Sequence, residues 1–165
     1  MWVFGKTDII DTNNVEIRRW ITFYKNLWLK HYSYSTLLVL NYISQMATFW
    51  KKEAAEKIGR FDKTQYFVMD YDYWLRLGKK YKAGFINKYL SSFRITDANK
   101  STAGFIKQFR DEFEVAKKNT NNGMIIFLHN LHYILIIFIY YILKILRDLT
   151  PQKFSEQKQY IGSNL

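Results

Sequence analysis

The chain has 165 residues, 48% of them hydrophobic and 24% charged, so it can bury a core and is not wholesale disordered. It has no cysteine and three histidines, which excludes a disulfide framework, a thiolate zinc site and a cysteine nucleophile, and argues against a multi-histidine metal centre. The net charge of +11 and the pI near 9.7 call for anionic partners, whether nucleic acid, anionic lipid or phosphorylated small molecules.

Met1-Trp2-Val3-Phe4-Gly5 lacks the basic and long apolar regions of a signal peptide. It reads as a strand entered in mid-fold, followed by a turn at Asp11-Thr12-Asn13-Asn14. Ile17, Trp20, Ile21, Tyr24, Leu27 and Trp28 recur at spacings of three and four, which predicts an amphipathic helix with Arg18, Arg19 and Lys25 off the stripe. A short helical stretch over 35–42 follows, then an extended segment over 44–51. Residues 53–58 predict a short helix closed by Gly59. A loop opens at Phe61-Asp62, and a helix starting near Asp70 carries Tyr73, Trp74, Leu77 and Tyr81. Residues 83–87 and 90–95 are strand candidates, and Phe105, Ile106, Phe109, Phe113 and Ala116 mark another amphipathic helix.

Residues 124–146 are apolar over a length that reaches across a bilayer core. His129, Tyr133, Tyr140, Lys144 and Arg147 nevertheless fall on one helical stripe, which favours a helix lying in the membrane interface over one that spans the membrane or is buried in protein. Basic residues flank both ends, so charge does not orient it. Residues 151–165 read as a polar, mobile tail.

The charge excess lies mainly in residues 51–120, interleaved with acids, and no basic run exceeds a pair such as Lys79-Lys80. A nucleic-acid tail would be denser, so nucleic acid is not an expected partner.

Four motifs stand in order between Asn41 and Arg94: Gln45-x-x-Thr48-Phe49, Gly59-x-Phe61-Asp62, Asp70-x-Asp72-x-Trp74-x-Arg76, and Phe93-Arg94. Together they resemble the acceptor-side, C-terminal half of family-2 glycosyltransferases with the GT-A fold. The resemblance covers residues 1–118. It implies an α/β fold, a partial GT-A (Rossmann-like) domain without its N-terminal nucleotide-binding half, followed by an apolar helix over 119–150 and the tail over 151–165. The expected reading is therefore a C-terminal fragment, its donor half lost or carried on a separate chain.

The residues alone read Asp70 and Asp72 as helix-start acids. A metal-binding Asp-x-Asp should end a strand and face a diphosphate, whereas this pair opens a helix. The resemblance instead makes Asp70 the general base of an inverting transfer, with Asp72 orienting it or charging the helix start. It places Gln45, Thr48, Trp74 and Arg76 along the acceptor cleft, although Trp74 also has the spacing of a core residue. Arg94 and Lys100 become diphosphate contacts. Relatives carry a metal-reaching His two residues after the Arg; here that position is Thr96, a poor ligand. The complete enzyme is expected to use Mn²⁺ or Mg²⁺, with no metal ligand in this chain. His129 and His132, three apart with no carboxylate or thiol nearby, read as polar-stripe residues rather than ligands.

The expected function is inverting glycosyl transfer from a nucleotide-sugar to a saccharide or lipid-linked acceptor in surface polysaccharide synthesis, at the cytoplasmic face of the membrane. The alternative is a basic membrane-associated protein without catalysis, which leaves the ordered motifs unexplained.

Overall fold

A computed structural model describes residues 2–96 and 104–149. Among these residues the chain forms a three-stranded mixed sheet and six α-helices, a mixed α/β architecture. The strands are β1 (Trp2–Ile10), β2 (Thr48–Trp50) and β3 (Ala83–Arg94). The helices are α1 (Arg19–Leu29), α2 (Tyr34–Val39), α3 (Lys52–Ile58), α4 (Met69–Lys80), α5 (Phe105–Asn119) and α6 (Gly123–Leu149). Of the described residues, those up to Tyr133 belong to one compact unit and those from Ile134 to a second.

The sheet order is β2-β1-β3. β1 pairs antiparallel with β2, Val3 opposite Phe49, and parallel with β3, Phe4 opposite Phe85. The 83–87 and 90–95 segments, expected as two strands, are one strand. Its pairing with β1 slips on either side of Lys6, from Gly5↔Ile86 to Lys6↔Tyr89 to Thr7↔Ser91. The slips crowd Leu90 over Gly5, where a β-carbon would strike the leucine side chain, so only glycine fits there. The extended segment expected over 44–51 is also shorter. Gln45–Ala47 make a 3₁₀ turn, held by the Thr48 hydroxyl donating to Ser44 O at 2.7 Å, and only Thr48–Trp50 pair as strand.

The core lies between the sheet and α2, α4 and α5. Trp2 stacks on Trp74 at 5.7 Å, and its indole Nε1 donates to Tyr81 O at 3.1 Å. α4 buries Tyr71, Tyr73, Trp74, Leu75 and Leu77, opens with Asp70 and Asp72 and closes with Lys79 and Lys80, charges that suit its dipole. Ser33 caps α2 by accepting from Thr36 N at 2.9 Å. Gly59 closes α3 at φ 82°, a backbone angle that disfavours side chains.

α1 corrects the stripe expected of it. Trp20 and Leu27 remain about half exposed, while Thr22 and Leu29 are buried. Arg18 takes a left-handed conformation at φ 52° immediately before the helix. The inward face passes through Thr22, Lys25 and Leu29, so Lys25 is partly buried rather than off the stripe.

α6 is long and apolar enough over Gly123–Leu143 to cross a membrane. Its first turns dock on the domain. His129 Nδ1 donates to Leu38 O at 2.7 Å, and His132 Nε2 lies 2.9 Å from the Tyr24 hydroxyl. The expected polar stripe therefore begins as an internal seam. Tyr71 Oη, donating to Leu37 O at 2.9 Å, joins His129 in satisfying the C-terminal carbonyls of α2. Residues 134–149 continue the helix within the second unit, with Ile134, Leu135, Phe138 and Tyr141 more than half exposed. The expected tail, 151–165, lies outside the described residues.

Candidate active site

Asp70 stands in the first turn of α4, partly exposed, its Oδ1 accepting from Tyr71 N at 2.8 Å. Lys25 and Glu112 act on its charge, and Asn41 and Gln108 hold Glu112. Lys25 comes from α1, Asn41 from the segment after α2, and Gln108 and Glu112 from α5. Asn41 Nδ2 donates to Glu112 Oε1 at 2.9 Å, and Gln108 Nε2 to the same oxygen at 3.1 Å. Asn41 Oδ1 is buried without a hydrogen-bond partner.

Burial raises the Asp70 carboxyl above the usual range, opposed by the Tyr71 N–H and by the positive charge of Lys25. Burial pushes Glu112 to about 7. The two side-chain amides and Lys25 oppose that shift, and the negative charge of Asp70 adds to it. A carboxylate at a helix start, a cation and a second carboxyl that titrates near neutrality form a set able to take up a proton and hold its charge.

Glu112, Asn41, Gln108 and Lys25 were not expected at the site. For Glu112 the sequence does hold a signal: with Phe109, Phe113 and Ala116 it falls on the apolar stripe of α5, where an acid needs a partner. Nothing local marks Asn41, because its partner is 71 positions away.

The remaining candidates are dispersed. Asp72, two residues from Asp70 on one helix, projects to the opposite side and is bound to Arg76, whose Nη2 is 2.8 Å from its Oδ2. Arg76 also donates to Ile58 O at 2.8 Å and Arg60 O at 3.0 Å, so it fastens α4 to the end of α3. Of the two roles expected of Asp72, the structure places it as a charge in the first turn of α4, where its carboxylate holds Arg76.

Trp74 is corrected as an acceptor contact. It is fully buried against Trp2 and Trp50 and has no face left for a sugar. Thr48 is buried, its hydroxyl donating to Ser44 O, whereas Gln45 is exposed on the 3₁₀ turn. No hydrogen bond or ion pair joins Asp70 to Gln45 or Thr48 among the described residues. Arg94 reaches back to the β1 turn, donating to Asp11 O and Asn14 Oδ1 at 2.7 Å each. Lys100 lies outside the described residues.

The described residues present no donor set that fits a divalent metal. No group of three or more His, Asp or Glu side chains gathers among the described residues. Glu112, the carboxyl coupled to Asp70, is enclosed by two amide donors.

A scan against protein-family models finds no match, and searches of curated proteins and of solved structures find none either.

Proposed function

We propose that this chain supplies the acceptor side and the general base of an inverting glycosyl transfer from a nucleotide-sugar to a saccharide or lipid-linked acceptor, on a partial GT-A fold at the inner membrane face. The observation that carries the reading is Asp70. It is a carboxylate in the first turn of α4, backed by Lys25 and Glu112, and it stands where the ordered motifs lead.

In this reading the acceptor hydroxyl lies against Asp70. Its oxygen bonds to the anomeric carbon as the bond to the nucleotide breaks on the opposite face, and its proton passes to Asp70. The helix start and Lys25 favour the ionised base, while burial keeps it basic enough to accept the proton. The long exposed apolar surface of α6 supports attachment to a membrane, where lipid-linked acceptors reside.

Asp70→Asn, in an enzyme completed by a donor-binding half, is expected to lower turnover at least a hundredfold and leave nucleotide binding intact. Wild-type turnover in that variant would remove Asp70 from the mechanism.

A further inference from the structure

The outward face of α1 is apolar where the open face of a helix is ordinarily polar. Trp20, Phe23 and Leu27 stand on it at spacings of three and four, Phe23 71% exposed and the other two about half. Tyr89, more than half exposed on β3, lines a shallow cleft together with Phe23 and Leu27, so the apolar patch passes from the helix to the strand. Asn26 Nδ2 donates to the Tyr89 hydroxyl at 3.3 Å and fixes that edge. Large apolar side chains gathered on a surface mark a place where an apolar partner binds.

Two observations say what covers this face. The first is charge. Lys6, Arg19 and Lys30 border Phe23, Leu27 and Tyr89, and Arg18 stands exposed just before the helix. Among the described residues that line the cleft Glu16 is the one acid, and it pairs with Arg19 at 2.9 Å. The rim stays positive with that pair set aside. A second copy of the chain would bring the same cations against themselves, whereas an anionic lipid surface compensates them. The second is continuity. The Tyr24 hydroxyl of α1 lies 2.9 Å from His132 Nε2 of α6, and the two rings stack at 6.2 Å. Trp20 and Leu27 are the helical neighbours of Tyr24, and Leu128 is that of His132. The apolar face of α1 therefore runs on to Met124, Leu128 and Leu131 of α6, all exposed.

We infer that α1 lies in the head-group layer of an anionic membrane, with Trp20, Phe23 and Leu27 turned into the lipid and Lys6, Arg18 and Lys30 against the lipid phosphates. The inference rests on the reading of α6 as the membrane attachment: α6 anchors the chain, and α1 sets how the domain lies on the surface. A face of this size inserts shallowly and reversibly, so loss of the α6 anchor still releases the chain.

The chain has no cysteine, so Leu27→Cys gives a single site for an environment-sensitive fluorophore. The labelled full chain is reconstituted by detergent removal on phosphatidylcholine vesicles, with and without a quarter phosphatidylglycerol, and flotation reads attachment. On the anionic vesicles the emission is expected to shift to the blue and to fall about twofold or more with lipids carrying a nitroxide in the upper acyl chain. Adding Lys6→Gln and Lys30→Gln is expected to bring the quenching down to its level on neutral vesicles while flotation is unchanged. A chain that floats with its probe unquenched would overturn the role of α1 and leave α6 as the anchor. A chain that does not float would overturn both. Equal quenching on neutral and anionic vesicles would overturn the choice of anionic lipid. A blue shift in detergent alone that grows with protein concentration would give the face to a second copy instead.

Discussion

Glu112 titrates near 7 in the fold against 4.5 for an ordinary glutamate, because burial disfavours its charge. The folded state therefore holds a proton there that the unfolded chain releases between pH 4.5 and about 7. Stability from this group is fully present below 4.5 and is lost as pH rises to about 7. Glu112→Gln keeps the shape without the charge. Above pH 7 it is expected to be more stable than wild type by on the order of 1–3 kcal/mol, and near pH 4 by much less, as denaturant melts at both pH values would show. Asp70 shifts in the same direction, so turnover is expected to rise with pH through a carboxyl midpoint above 3.8, and Asp70→Asn should abolish that limb of the pH–rate profile. The charge of Asp70 made it legible as a helix-start acid, and only the resemblance singled it out from Asp72 as a base. The company it keeps was not, because Lys25, Asn41 and Glu112 come from three distant segments and meet only through packing.

Elements with strong periodicity were readable, and those shaped by tertiary contact were not. α4 and α5 follow the spacing of their aromatic residues, and α3 ends at Gly59 as expected. The single β3 strand was obscured because the slips opposite Lys6 depend on the partner strand. Trp74 had the same spacing whether it faced core or cleft, and its stacking on Trp2 decides for the core. Trp74→Ala is accordingly expected to cost about 3–5 kcal/mol, measurable by chemical denaturation, with the loss appearing in stability before any sugar-binding effect. In α6 the histidines at 129 and 132 are hydrogen-bonded to the domain, while the apolar residues beyond them remain exposed. A chain ending at Tyr133 is expected to leave the membrane fraction with its fold intact by circular dichroism. A chain ending at Thr120 is expected to melt at a lower temperature, because it also removes the His129 bond to Leu38 O. Unchanged fractionation of the first truncation would contradict membrane attachment through α6.

The molecule as a whole carries three features: a mixed sheet ordered β2-β1-β3, an acid at the start of α4, and a helix long and apolar enough over Gly123–Leu143 to cross a membrane. The α/β class was expected from the resemblance, and the described residues form a mixed α/β architecture. The sheet order was not, because it depends on pairings between β1 and residues 48–50 and 83–94 that no local pattern encodes. Whether this chain provides the acceptor side and base of a glycosyl transfer is decided by one assay. Transfer from a nucleotide-sugar to a lipid-linked saccharide is measured, with Mn²⁺ or Mg²⁺, for this 165-residue chain with and without a donor-binding half. Transfer is expected when the half is added, and Asp70→Asn is expected to abolish it. No transfer from the folded chain in either condition would contradict the proposed function and favour a membrane protein without catalysis.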